Sequence, residues 1–151
     1  MRSEQNSSFA PRYGHGTLPD ELTRRPVVLD ASVVLRRLLD RSPAADEVLR
    51  RDDLAAPGVL VPETLNGLAK AVRFAGLRIE DAAELLEEFL SLPIEVVPDR
   101  DLAADSLSVA TELGLNAYDA SYVALALARD LPLVTADEPV SARYPRSELI
   151  P

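Results

Sequence analysis

The chain has no cysteine among its 151 residues. That removes a disulfide framework, a thiolate zinc site and a cysteine nucleophile, and it agrees with a reducing compartment. The cytoplasm is the expected location. Histidine occurs once, as His15 between two glycines, too isolated to belong to a ligand set. Long apolar runs are also missing. The most apolar stretch, Val27 to Leu39, is broken by Asp30, Arg36 and Arg37 and is too short and too charged to cross a bilayer. Residues 1–25, rich in Ser, Gly, Pro and charge, lack the apolar centre of a signal peptide. They read as a flexible, disordered leader ahead of one domain at 26–151. A soluble protein with no membrane partner is expected.

What is present is a hydrophobic fraction of 47%, enough for one domain of this length to bury a core. The formal net charge is −9. Such a balance argues against a general nucleic-acid coat protein, because phosphate binding relies on basic groups and counterion release. A nuclease is not excluded, since cations held by some of those acids would invert the local field.

Along the chain, short apolar runs alternate with helical periodicity. Strands are expected at Val27 to Asp30, Leu54 to Ala56, Ile94 to Val97 and Leu131 to Val134. Helices are expected over Val33 to Leu39, Ala44 to Arg51 (opened by Ser42 and Pro43), Val59 to Phe74 (stopped by Gly76) and Ile79 to Leu90. Further helices cover Leu102 to Leu113, ended by Gly114, and Ala117 to Arg129, capped by Asn116, with a short one after Asp137. Strands separated by helices predict an α/β fold in three α/β/α layers around a mainly parallel sheet. In such sheets ligands collect outside the carboxyl ends of the strands.

Four acids interrupt this apolar framework: Asp30 after Val27-Val28-Leu29, Glu63 after Val59 to Pro62, Asp119 after Asn116-Ala117-Tyr118, and Asp137 after Leu133 to Ala136. A carboxylate at the end of a buried strand is costly to desolvate unless something pairs with it, and hard divalent cations are the natural compensation for several together. Each acid taken singly also has an ordinary explanation, as a turn acid, a helix cap or a charge near a helix N-terminus. Ser32 and Thr135 lie two residues from Asp30 and Asp137. A strand-like period would aim each hydroxyl along its own acid's edge, giving both a supporting role. Asn66, three residues after Glu63 on the same helix face, is placed to orient that carboxylate or contact a phosphate. Asp99, Asp101 and Asp105 fit a helix start, with an auxiliary acid near the site left open. Arg36, Arg37, Arg73 and Arg78 are either solvated surface groups or a basic rim for nucleic-acid backbone.

Between residues 26 and 145 the chain resembles the PIN-domain ribonucleases, and among them the VapC-type toxins of toxin–antitoxin pairs. The resemblance rests on Val28-Leu29-Asp30-Ala31-Ser32, on Pro62-Glu63-Thr64-Leu65-Asn66, on the run from Ala117 to Ala126 containing Asp119, and on Leu133-Val134-Thr135-Ala136-Asp137. It implies a PIN-like fold and a Mg2+- or Mn2+-dependent endoribonuclease that hydrolyses RNA with a metal-activated water. Asp30, Glu63, Asp119 and Asp137 would be both the catalytic residues and the metal ligands. The resemblance also implies a homodimer and a cognate antitoxin protein, with the helices Pro62 to Phe74 and Ile79 to Leu90 as candidate interfaces. With no histidine or lysine expected at the site, metal must do most of the activation.

Two other classes compete. One is a catalytically silent PIN-like binding module. The other is an α/β phosphotransfer protein, disfavoured because Asp30-Ala31-Ser32 lacks the second Asp of the phosphatase motif, and because Lys70, the only lysine, lies inside a helix rather than after a late strand.

Overall fold

The computed structural model describes residues 26–151. The leader expected at 1–25 and its His15 lie outside the described residues. Five strands, β1 (Val27–Leu29), β2 (Leu54–Pro57), β3 (Ile94–Val97), β4 (Leu133–Thr135) and β5 (Ser147–Leu149), pair in the order β3-β2-β1-β4-β5, with every pairing parallel. The expected mainly parallel sheet is therefore wholly parallel. Seven helices connect the strands among the described residues: α1 (Ala31–Asp40), α2 (Pro43–Leu49), α3 (Leu60–Phe74), α4 (Ile79–Leu90), α5 (Asp99–Leu113), α6 (Ala117–Arg129) and α7 (Glu138–Arg143). The chain steps from β1 outward to β2 and β3, then crosses back to β4 and β5. Right-handed crossovers put α1–α4 on one face and α5–α7 on the other, which agrees with the packing of α1 on α2, α3 and α4 and of α6 on α5. The strand order thus reverses between β1 and β4, where open α/β sheets form a crevice.

The three residues of β1 are fully buried, as a central parallel strand covered on both faces requires. Helix α6 is buried without interruption from Ala120 to Ala126, because it lies between the sheet and α5 and has no solvent face over that length. Its alanines let those neighbours approach. Helices α1 and α3 meet closely at Gly67, where an added Cβ would stand 2.4 Å from a methyl of Leu35. Only glycine permits that contact without moving Leu35.

Two differences from the sequence reading have local causes. Helix α5 begins at Asp99, three residues earlier than the apolar periodicity indicates, because Pro98 serves as its cap and Asp99 and Asp101 occupy its first turn, where acids are favoured. Strand β5 carries no apolar run and is half-exposed at a sheet edge; its register is set by β4, through Leu133 opposite Ser147 and Thr135 opposite Leu149.

Leu125 is 1% exposed in α6 and does not line the cleft that the acids form. Leu125→Ala is expected to lower unfolding stability by about 2–5 kcal/mol through lost burial and a residual cavity. In urea titrations the midpoint should fall with little change in slope.

Candidate acidic cleft

Asp30 follows β1 and is the N-cap of α1, with extended backbone angles and an Oδ1 that accepts the Ser32 amide N–H at 3.3 Å. Its other oxygen accepts two hydroxyls, Ser32 Oγ at 3.0 Å and Thr135 Oγ1 at 2.6 Å. Those hydroxyls are held in turn from β4's end: the Ala136 N–H donates to Ser32 Oγ and the Asp137 N–H donates to Thr135 Oγ1, both at 2.9 Å. The expected geometry is corrected here. Ser32 lies in the first turn of α1 rather than on a strand, and Thr135 donates to Asp30 instead of to Asp137.

The other three acids come from separate segments. Glu63 sits in the first turn of α3 and accepts a hydrogen bond from the Tyr122 hydroxyl. Asp119 sits in the first turn of α6, where its carboxylate accepts from Asn116 Nδ2 at 2.7 Å while its own N–H donates to Asn116 Oδ1 at 2.9 Å. Asn116 thus caps α6 through its side-chain oxygen and holds the Asp119 carboxylate through its side-chain nitrogen. Asp137 caps α7, accepting the Val140 N–H at 3.1 Å. Three of the four acids thus engage in helix-start bonding while facing the same space.

That space is a cleft of about 350 Å³ lined by all four acids, Ser32, Asn66 and Lys70, with Leu35 and Gly67 on its wall. Asn66 reaches the cleft, but Glu63 is held by Tyr122 instead. Tyr122 was not anticipated, although it falls three residues after Asp119 on the same face of α6, and a tyrosine in an apolar run needs a partner for its hydroxyl. The sequence leads one to expect no lysine at the site, yet Lys70 is on the Glu63 face of α3, one turn beyond Asn66, and lines the cleft. The arginines placed on a possible rim are elsewhere: Arg36 pairs with Asp40, Arg37 with Asp46 and Glu88, and Arg78 with Glu80, while Arg73 stacks over Phe74. Asp99 accepts the Val59 N–H before α3 and does not line the cleft.

Burial raises the pKa of Asp30 above the ordinary carboxylate value, opposed by its hydroxyl and amide donors and reinforced by the charge of Asp137. Glu63 is raised first by desolvation and then by Asp30, Asp119 and Asp137, against the Tyr122 bond. Asp119 is raised by desolvation and by Asp30 and Asp137. The Tyr122 phenol is pushed far up by burial and by Glu63, so it stays a donor. Four hard oxygen groups that repel one another across one cleft form a donor set suited to a divalent cation. As the side chains stand, no three acidic or histidine groups among the described residues are gathered as a ready-made metal cage. The local bonds explain this, because Tyr122, Asn116 and the Val140 N–H each hold one carboxylate. By donor chemistry, the carboxylates lining the cleft fit a hard divalent ion.

A folded-state pKa raised above the unfolded one means that stability falls as pH rises from the unfolded value. In chelator-treated protein, Asp30→Asn, which keeps a good capping residue, is therefore expected to melt above the parent at neutral pH. Each kcal/mol relieved corresponds to about 2–4 °C for a chain of this size. The gap should close as pH falls toward 3.8, the ordinary value for the carboxyl. Calorimetric melts across that pH range check it; an Asp30→Asn protein that melts below the parent at neutral pH would contradict the burial argument.

The family model for the PIN domain matches residues 27–144. VapC ribonuclease Mb0985 of Mycobacterium bovis is 32% identical over 111 residues, which cover 74% of this chain and 85% of that protein. Ribonuclease VapC3 of Pyrobaculum aerophilum is 29% identical over 124 residues, 79% of this chain and 95% of that one. Among solved structures, the crystal structure of PAE2754 from Pyrobaculum aerophilum is 30% identical with a TM-score of 0.67, covering 81% of each chain. The structure of VapBC2 from Rickettsia felis, bound to a DNA fragment from their promoter, superposes with a TM-score of 0.62 over 83% of this chain and 98% of that one. At 17% identity that last likeness speaks to the fold alone. With the family model spanning nearly all the described residues and a relative above 30% identity, the chain belongs to the PIN domain family, alongside the VapC ribonucleases.

Proposed function

We propose that the protein is a metal-dependent endoribonuclease, the toxin of a toxin–antitoxin pair, with Asp30, Glu63, Asp119 and Asp137 as its catalytic and metal-ligating acids. The observation that carries this reading is the convergence of those four acids, from four separate segments, on one cleft beside the reversal of strand order. The names of the relatives, ribonucleases all, support the reaction class. Bound Mg2+ or Mn2+ would supply Lewis-acid activation of water and stabilisation of the leaving oxygen. The chain's own residues do the rest. Asp30 is held rigidly by Ser32 and Thr135, Glu63 is held by Tyr122, and Asp119 and Asp137 present their carboxylates from helix starts. Asn66 offers an amide to a substrate phosphate from the wall of the cleft.

An antitoxin protein and a second copy of the chain are part of the same reading. The VapC names of the relatives at about 30% identity, the toxin type to which the resemblance in the sequence points, support the first. The apolar trough between α3 and α4, lined by Leu65, Leu68, Val72, Ile79, Ala82 and Leu86, supports a covering partner on those helices. No helix among the described residues is long and apolar enough to cross a membrane, which is compatible with action in the cytoplasm.

Purified protein is expected to cleave a mixed RNA pool in Mg2+ or Mn2+ and to lose that activity in EDTA. Asp30→Asn and Asp119→Asn should each lower the rate by about 100-fold or more, since several kcal/mol of charge stabilisation depend on the ion they help hold. Full cleavage by both variants would overturn the assignment. Tyr122→Phe, which releases Glu63, should lower cleavage by about 10–100-fold and raise the Mg2+ concentration needed for half-maximal rate, as loss of a ligand-orienting partner does. A Mg2+ titration of the single-turnover rate reads both effects.

A further inference from the structure

Lys70 is the chain's only lysine among 16 basic residues, and among the described residues it is the only basic side chain lining the acidic cleft. Glu63, Asn66, Gly67 and Lys70 follow one another at helical spacing along α3, so that all four reach the same wall. Lys70 is exposed and has no ion-pair partner among the described residues, whereas most of the described arginines are tied to carboxylates or to backbone oxygens. Helix geometry sets its Cα about 10 Å beyond that of Glu63 along the axis. Side chains on a helix lean toward the N-terminus, so the lysine stem runs back toward Asn66 and the acids, and Gly67 places no side chain in between.

We propose that Lys70 is a substrate-binding residue that takes a non-bridging phosphate oxygen of single-stranded RNA next to the reacting phosphate. This rests on the nuclease reading given above. The physical need is plain: four carboxylates repel a polyanion, and a divalent ion neutralises only part of that charge. A compact ammonium at the mouth of the cleft gives the incoming strand its first attractive contact and sets which phosphate lies over the acids. Being a backbone contact, it favours no base, so target choice is set elsewhere.

The test uses the full chain and a short single-stranded RNA in Mg2+, comparing parent, Lys70→Met, Lys70→Arg and, as a charge control outside the cleft, Arg50→Gln. Cleavage kinetics are measured, and RNA binding is followed by fluorescence anisotropy across a salt series with each cleft variant also carrying Asp30→Asn. Lys70→Met is expected to raise KM and Kd about tenfold, with kcat changed less than KM. The slope of log affinity against log salt should shrink by about 0.7, the value of one phosphate contact on a single strand. Lys70→Arg should restore most of the affinity, and Arg50→Gln should leave the slope unchanged. If the parent cleaves RNA while Lys70→Met matches it in KM and slope, the Lys70 assignment is overturned and the nuclease reading stands. If the parent binds RNA in a Lys70-dependent way without cleaving it, the contact is upheld and the nuclease reading fails. An absence of both binding and cleavage overturns both.

Discussion

A single buried carboxylate organises this molecule. Asp30 stands 7% exposed at the carboxyl end of the central strand, where an uncompensated charge would be costly. The compensation comes from the ends of two strands at once. Its own helix supplies an amide and the Ser32 hydroxyl, and β4 supplies Thr135, whose neighbouring backbone amides hold both hydroxyls in place. The same bonds therefore cap α1, clasp β1 to β4 across the reversal of strand order, and fix the acid at the floor of the cleft. Desolvation still outweighs these donors, leaving the carboxyl raised above its ordinary pKa. A carboxyl perturbed by desolvation at the floor of a cleft marks a candidate functional site.

The structural and the chemical explanations of these acids turn out to be compatible. Asp30 and Asp137 are genuine N-caps, and Asp119 is locked in a reciprocal pair with Asn116 at a helix start. Asp119 and Asp137 each place one oxygen on a local donor and Asp30 places both on donors, and all three carboxylates line the common cleft. Helix starts suit this double use because their free N–H groups orient a carboxylate without neutralising it. Glu63, which has no such cap to serve, is held by the Tyr122 hydroxyl from α6. The result is a group of mutually repelling oxygens held by separate restraints, with Lys70 the one counter-charge in the cleft among the described residues.

Much of this was legible in the sequence, because the signals were local. Apolar runs flanked by prolines gave β3 at Ile94–Val97, helical periodicity gave α4 at Ile79–Leu90, and the Asp137-Glu138-Pro139 start gave α7. The four acids were identifiable for the same reason, as charges placed where a strand or helix begins or ends. Strand β5 was not legible, since a three-residue edge strand draws its register from its neighbour rather than from its own pattern. What tertiary structure alone decided are the contacts between distant positions. Thr135 reaches Asp30 across 105 residues and Tyr122 reaches Glu63 across 59. Both depend on the crossover that brings β4 beside β1, as does the cleft itself. Lys70 could be read from the sequence as a helical residue, but the helix face it occupies becomes a cleft wall only once α3 packs against α1 at Gly67. The sequence by itself determined which residues bear charge and which elements hold them; the order of the strands decided which of those charges meet.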